Sequence, residues 1–291
     1  MDLTWHDEID PALVREFLQA VAAVDGRPEV DPGGPLPREF RGGRHLVAAT
    51  GDRLAGYAHV AADAFGRAAA ELLVRPDERG RGLGTALVGE VTATHPGVRV
   101  WAHGDHPAAA RIAARLGLAK VREMWQMRLE FGDPLPEPVW PDGIAVRAFA
   151  PGRDEDAVVA VNKRAFDWHP EQGALTAADV VATEAEPWFD PAGFFLAADA
   201  ADRVVGFHWT KTHPDGTGEV YVVGVDPAAQ GGGLGRALTL QGLHHLRERG
   251  VPAVILYVEA DNAPAVKVYQ RLGFTRSDAD IQYAAIPPNG A

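Results

Sequence analysis

Two glycine-rich stretches carry the most chemistry in this chain of 291 residues. One reads Gln230-Gly231-Gly232-Gly233-Leu234-Gly235 and follows an apolar, β-branched run, 220–225, that stops at Asp226-Pro227. Behind it lies an apolar-periodic segment with Ala237, Leu240, Leu243 and Leu246. A strand, a tight glycine loop and a helix start leave unpaired backbone N–H groups at the positive end of a helix. Such a site suits a pyrophosphate. The other stretch, Arg79-Gly80-Arg81-Gly82-Leu83-Gly84, follows a short apolar run, 71–74, and opens a segment carrying Ala86, Leu87, Val88 and Val91. Several nucleotide-binding folds use a single glycine loop. Two copies in one chain are more specific.

What is missing narrows the chemistry further. There is no cysteine, which removes disulfides, thiolate metal sites and a cysteine nucleophile. The only serine is Ser277, so a serine nucleophile on a sharp strand-to-helix turn is also missing. The eleven histidines show no metal-ligand spacing, and the adjacent His244 and His245 would point apart on a helix. No metal is expected, and any group transfer is expected to be direct. The net charge of −12 speaks against nucleic acid as the main partner. It does not oppose a small phosphorylated ligand held by local donors. No apolar run approaches the roughly 20 residues of a membrane helix. The acidic opening MDLTWHDEID lacks the order of a signal peptide, so a cytoplasmic protein without membrane contact is expected.

The elements that must position these loops follow from periodicity. Leu13, Val14, Phe17, Leu18 and Val21 predict a helix over 10–24, with Pro11 near its start. A Pro- and Gly-rich loop fills 26–43, and strands over 45–50 and 54–60 meet at a Gly51-Asp52 turn. A strand over 98–102, an Ala-rich helix over 107–116 stopped by Gly117, and a strand over 121–131 complete the first half. Residues 132–143 hold four prolines without periodicity and read as a semi-rigid linker. Beyond it, a helix over 154–166 precedes a long unassigned segment, 167–192. Strands at 193–198 and 203–211 lead to the second glycine loop and its helix. A strand at 253–259, a helix at 263–272 and a strand near 280–286 close the chain.

The order of elements therefore repeats, and particular residues recur with it. Asp52, Arg53 and Gly56 return as Asp202, Arg203 and Gly206, 150 residues on. Gly82 and Gly84 return as Gly233 and Gly235, 151 on, and Leu116-Gly117 as Leu272-Gly273, 156 on. Register kept this closely indicates a tandem duplication. The expected domains are 1–133 and 144–291, joined by 134–143.

Each half resembles the GCN5-related N-acetyltransferase (GNAT) family. The residues that carry the resemblance are Arg79-x-x-Gly82-x-Gly84 and Gln230-x-x-Gly233-x-Gly235. The second half adds Glu259-x-Asp261-Asn262-x-x-Ala265-x-x-x-Tyr269-x-x-Leu272-Gly273-Phe274. The resemblance implies two tandem mixed α/β domains. Each would hold a mostly antiparallel sheet flanked by helices, with two splayed central strands. It also implies acetyl-CoA as co-substrate, with its pyrophosphate on the glycine loop. The implied contacts in the second half are Val223, Gly224, Val225, Gln230, Gly231, Gly232, Gly233, Leu234, Gly235, Arg236, Asn262, Ala265 and Lys267. In the first half they are Leu73, Val74, Arg79, Gly80, Arg81, Gly82, Leu83 and Gly84. Further stretches, HPEQG at 169–173, WFDPAGF at 188–194, GFHWTK at 206–211 and GEVYVVGVDPAAQ at 218–230, are similar to the mycothiol synthase family. That likeness implies acetylation of the cysteinyl amine of cysteinyl glucosaminyl-inositol.

Acetyl transfer to an amine needs a neutral amine, a polarised thioester carbonyl and a proton for the departing thiolate. Glu219, at the start of the strand leading to the loop, is the candidate base; its bland alternative is a solvent-facing strand-end carboxylate. Tyr269, four residues before Gly273, is the candidate acid; its alternative is a core aromatic. Carried back through the repeat offsets, Glu219 matches Ala68, Tyr269 matches Ala113 and Asn262 matches His106. The first half is therefore expected not to catalyse. The resemblance further implies substrate contacts at Glu171, Lys211 and Tyr257, each with a bland reading as loop acid, solvated lysine or packed aromatic. The family's first-domain glutamate falls at Pro32 here, leaving Asp31 or Glu29 as substitutes. Gly231-Gly232 stands where many relatives carry arginine, which shifts phosphate affinity onto backbone N–H groups. Competing readings are an acetyltransferase for another amine (an aminoglycoside or a protein amine) and a non-catalytic acetyl-CoA-binding module. Oligomeric state stays open, with a monomer as the working expectation.

Overall fold

The computed structural model describes residues 2–26, 30, 36–62, 66–167 and 172–286. The chain forms two compact units, one of residues 1–123 with 279–291, the other of residues 124–278.

The first unit holds β1 (Leu3–His6), α1 (Pro11–Asp25), β2 (Arg44–Thr50), β3 (Arg53–Ala62), β4 (Ala68–Val74), α2 (Leu83–Thr94), β5 (Arg99–Ala102) and α3 (Pro107–Arg115). Its strands run in the order β1-β2-β3-β4-β5. All neighbours are antiparallel except β4 and β5, which are parallel. Asp10 caps α1 by accepting from the Ala12 N–H, and Pro11 sits in the first turn, where the sequence places it. Val14, Phe17, Leu18 and Val21 of α1 bury against Val47 and Tyr57. Leu83, Leu87, Val88 and Val91 of α2 pack with Leu46, Ala58 and Val100.

The second unit takes its strands from β6 (Leu118–Glu130), β7 (Ala145–Ala148), β8 (Phe194–Ala198), β9 (Val204–Thr212), β10 (Gly218–Val225) and β11 (Ala253–Glu259). Its helices are α4 (Glu155–Ala165), α5 (Ala177–Glu184), α6 (Leu234–Glu248) and α7 (Ala263–Arg271). The strand order is β6-β11-β10-β9-β8-β7, and again one pair, β10 and β11, is parallel. Phe194, Phe207 and Trp209 pack with Val158 and Val161 of α4. Val220, Val254, Leu256 and Val258 pack with Leu240, Leu243 and Leu246 of α6. Side-chain alternation along each strand thus gives every unit two apolar faces, each covered by helices.

The compact units differ from the sequence halves 1–133 and 144–291. Residues 124–130 of β6 pair with all of β11, inside the second unit. The last strand, β12 (Thr275–Ala285), pairs through Ile281–Tyr283 with β5 of the first. Each half of the duplication therefore lends its final strand to the other unit's sheet. Segment 132–143 is irregular, as expected, and packs on α6: the Pro136 carbonyl lies 3.0 Å from the His244 ring, and Arg247 donates to the Asp133 carbonyl.

Three elements were not expected from the sequence. β1 is a strand of four residues, too short for periodicity to register. β7 is equally short. α5 lies within 167–192 and starts at a capping box, in which the Thr176 hydroxyl and the Asp179 carboxylate satisfy each other's backbone N–H groups. Threonine followed three residues later by aspartate was the available signal. Among the described residues, no helix is long and apolar enough to cross a membrane.

Candidate active site

β10 and β11 pair in register only at Gly218–Val254 and Glu219–Ile255. Beyond Glu219 they part. On its other side β10 stays bonded to β9, but the register slips between Val220 and Val222, so that Tyr221 is an extra residue in the ladder. This bulge bends β10 away from β11 and reverses its alternation. The backbone of 222–225 keeps its antiparallel bonds to β9 and turns its other edge towards the gap.

The glycine loop follows. Gly231 and Gly233 adopt φ of 89° and 86°, which an L side chain rarely tolerates, and a Cβ at either would project into open space. Gly233 is the N-cap of α6 and offers no side-chain acceptor, which leaves the first N–H groups of the helix available. Gln230 braces the loop by donating from Nε2 to the Val225 carbonyl, 3.1 Å away. Arg236 is half-buried on the first turn of α6. Asn262 caps α7, accepting from the Ala265 N–H at 3.3 Å, while Lys267 is exposed on that helix.

The candidate catalytic residues stand on opposite faces of this sheet. Glu219 pairs in register with Lys211 on β9 and Ile255 on β11, so these three side chains share a face, and Tyr257, two residues beyond Ile255, joins them. Tyr269 belongs to the other face. It packs with the cluster that contains Val220, Val254 and Val258, and its ring meets Phe274 edge-on at 5.9 Å. Burial pushes its phenol pKa up to about 12, which keeps the proton on the oxygen at ordinary pH. Among the described residues its hydroxyl has no hydrogen-bond partner, while its ring packs as a core aromatic would.

Glu219 is not a solvent-facing strand end. It is 7% exposed, and its Oε2 lies 2.7 Å from Nε2 of His213, itself 8% exposed. The sequence reading passed over His213, whose place in a Thr-His-Pro-Asp-Gly turn reads only as a hairpin connection. It also passed over an aromatic group on the same face. The Lys211 ammonium sits over the rings of Trp188 and Tyr221 at 5.3 and 5.9 Å, and Trp188 and Trp209 each meet Tyr221 edge-on. Tyr257 is 40% exposed, and its hydroxyl accepts from Gln126 Nε2 at 2.9 Å. Of the other expected substrate contacts, Glu171, Asp31 and Glu29 lie outside the described residues.

The first unit repeats the frame. β4 and β5 pair only at Ala69–Arg99 and Ala70–Val100 before parting. Gly80 and Gly82 adopt φ of 77° and 85°, and Gly82 is the N-cap of α2. Arg79 does what Gln230 does, donating from Nε to the carbonyl of Val74 at 3.0 Å, and also forms a paired bond to Asp25. Arg81 is tied to Glu78. Leu73 and Val74 end β4 beside the gap. Because β4 has no bulge, the residue matching Glu219 is Ala69 rather than Ala68: Ala61–Ala69 on β3 and β4 corresponds to Lys211–Glu219 on β9 and β10. Ala113 on α3 occupies the place of Tyr269, and His106 caps α3 as Asn262 caps α7.

Comparison with known proteins agrees with this frame. Residues 160–274 match the acetyltransferase (GNAT) family, and residues 41–117 match an acetyltransferase (GNAT) domain. A mycothiol acetyltransferase of Saccharomonospora viridis is 54% identical over 301 residues, covering 97% of this chain and 98% of the relative. One of Actinosynnema mirum is 55% identical over 298 residues, covering 97% and 99%. Among solved structures, a GCN5-related N-acetyltransferase from Sphaerobacter thermophilus aligns with a TM-score of 0.72 at 25% identity, covering 97% of this chain and 94% of its own. A tandem GNAT protein from the clavulanic acid biosynthesis pathway aligns with a TM-score of 0.70 at 19% identity, covering 99% and 100%, a likeness of fold alone.

Proposed function

The chain belongs to the mycothiol acetyltransferase family of tandem GNAT proteins, and on that premise we propose that it acetylates the cysteinyl amine of cysteinyl glucosaminyl-inositol to give mycothiol. The donor is acetyl-CoA, which supplies an activated acetyl thioester. The observation that carries the reading is the parting of β10 and β11 just after Glu219, with a carboxylate on one face of the sheet and an unpartnered phenol on the other. An acetyl thioester in that gap can be approached at its carbonyl by an amine from the Glu219 side, while its departing thiolate receives a proton from the Tyr269 side.

Each residue then has a task. The free N–H groups at the start of α6 and in the loop Gln230–Gly235 hold the pyrophosphate. Gly231 and Gly232 in place of larger side chains leave that work to the backbone. The β10 backbone over 223–225 offers donors to the thioester carbonyl. Glu219 takes a proton from the substrate ammonium, and Tyr269 donates one to the leaving thiolate. Lys211, Tyr257 and the half-buried Trp188 line the face from which the amine arrives, where polar and aromatic groups suit a polyol. Glu171 and Asp31 complete the proposed contacts. The first unit, with Ala69 and Ala113 at the two key positions, has a cofactor cradle without catalytic groups.

The test is direct. Purified protein is incubated with acetyl-CoA and a panel of amines: the cysteinyl glucosaminyl-inositol, an aminoglycoside and a lysine-containing peptide. Acetylation of the first with a kcat/KM at least about a hundredfold above the others is expected, since unpaired hydroxyls discriminate strongly. No turnover of the first would refute the assignment.

A further inference from the structure

His213, just after β9, and Glu219, near the start of β10, are six residues apart, and the turn between them is tight. The His213 N–H donates to the Thr217 carbonyl at 2.8 Å, and the Gly216 N–H donates back to the His213 carbonyl at 2.9 Å. That turn folds the imidazole over the carboxylate. At 2.7 Å, Nε2 and Oε2 cannot both be acceptors, so one proton lies between them. Among the described residues, Oε1 of Glu219 has no hydrogen-bond partner. A buried carboxylate is costly unless donors satisfy it.

We infer that His213 is the positioning residue of the base: it donates from Nε2 to Oε2 of Glu219 and leaves Oε1 as the atom that takes the substrate's proton. The inference rests on the reading of Glu219 as the base. In the step itself, an N–H bond of the substrate ammonium breaks as the Oε1–H bond forms. The electron pair stays on nitrogen, the carboxylate becomes a neutral carboxyl, and the His213 proton remains on Nε2.

The other charged groups around Glu219 have tasks of their own. Lys211, its partner on β9, holds its ammonium over Trp188 and Tyr221. Asp215, in the same turn as His213, accepts from the Thr217 N–H and hydroxyl, and its carboxyl is held below the usual range mainly by that backbone bond, with His213 and Arg128 adding to it. Arg128 on β6 faces Ile255 and donates to Glu130. Tyr257 and Glu259 continue the same face of β11. His213 is the group bonded to Glu219.

The experiment compares kcat and KM of wild type with His213→Leu, His213→Gln and Glu219→Gln, using the best acceptor from the panel above. His213→Leu should lower kcat by about 10- to 100-fold with KM for acetyl-CoA within about threefold. His213→Gln, whose amide N–H reaches a similar point, should recover most of the rate. Wild-type behaviour of His213→Leu would overturn the inference, and so would a His213→Gln as impaired as His213→Leu. If His213→Leu fails to fold, His213→Asn takes its place, polar but too short to reach Oε2, with the same expectation. Glu219→Gln separates the two levels. Full activity there removes the base itself, whereas an inactive Glu219→Gln beside wild-type His213 variants removes only the positioning role.

Discussion

The two strand gaps of this chain are built alike and furnished differently. In both, a parallel pair holds for two residues and then parts; in both, two glycines with positive φ lead into an uncapped helix, and a long side chain braces the loop on the last carbonyl of the strand. These are backbone features, and they survived duplication together because each depends on the next. The differences are in side chains and in one inserted residue. Tyr221 makes a bulge in β10 where β4 is regular, and Glu219 and Tyr269 face Ala69 and Ala113. In the first unit the acid nearest that place, Glu71, is already occupied. His103 bridges it at 2.8 Å and Asp280 at 3.2 Å. Burial would depress the imidazole, but the two carboxylates prevail and raise its pKa to about 10. Glu219 meets a single imidazole, through Oε2, and among the described residues its Oε1 has no hydrogen-bond partner. The backbone frame of the gap is thus separable from the side chains that stand beside it.

The comparison can be broken at several points. Glu219→Gln should lower kcat by about 10²- to 10⁴-fold while acetyl-CoA binding holds, and Ala69→Glu should leave the rate unchanged. Equal activity of Glu219→Gln in a steady-state assay would erase the contrast between the units. Tyr269→Phe should cost about 10- to 100-fold in kcat. Since the phenol holds its proton up to about pH 12, wild type should show no alkaline fall due to this residue below about pH 10. An alkaline limb near pH 8 that vanishes in Tyr269→Phe would contradict its role as a fully protonated donor.

The loops give a smaller effect. An L side chain at φ near +85° costs about 1–2 kcal/mol, so Gly233→Ala should raise the KM for acetyl-CoA about 5- to 30-fold. Gly82→Ala should carry a similar strain yet leave the KM unaltered, seen as a lower Tm with normal kinetics. Smallest is the ion triad of the first unit. A histidine whose folded pKa is raised contributes stability in full below its unfolded value near 6.5 and loses it as pH rises through about 10. His103→Gln should therefore lower Tm slightly at pH 6, with the difference from wild type gone above about pH 10.5. A gap in Tm that widens with pH would show that the triad is not what holds this histidine charged.

Much of this could be read before any coordinates. Both glycine loops, the helices α1, α2, α4, α6 and α7 and the strands around them followed from apolar spacing, because amphipathic elements must bury one face. The repeat identified Ala113 opposite Tyr269 correctly, since no insertion separates α3 from its glycine or α7 from its own. It missed Ala69 by one residue. A bulge is a local slip in pairing, and pairing is not written in one strand alone. His213 was hidden for a related reason: its turn is legible, but the contact with Glu219 depends on how β9 and β10 register across it.

The amino-acid sequence by itself determined the duplication, the two glycine loops and the absence of cysteine, all of which are matters of residue type and spacing. Only the tertiary structure decided which residues share a face at the gap. It assigned Glu219 and Tyr269 to opposite sides, tied one carboxylate oxygen to His213, and gave each unit its last strand from the other half of the chain. Those outcomes depend on strand register and on long-range pairing, where a single inserted residue reverses a face and no local pattern records the partner.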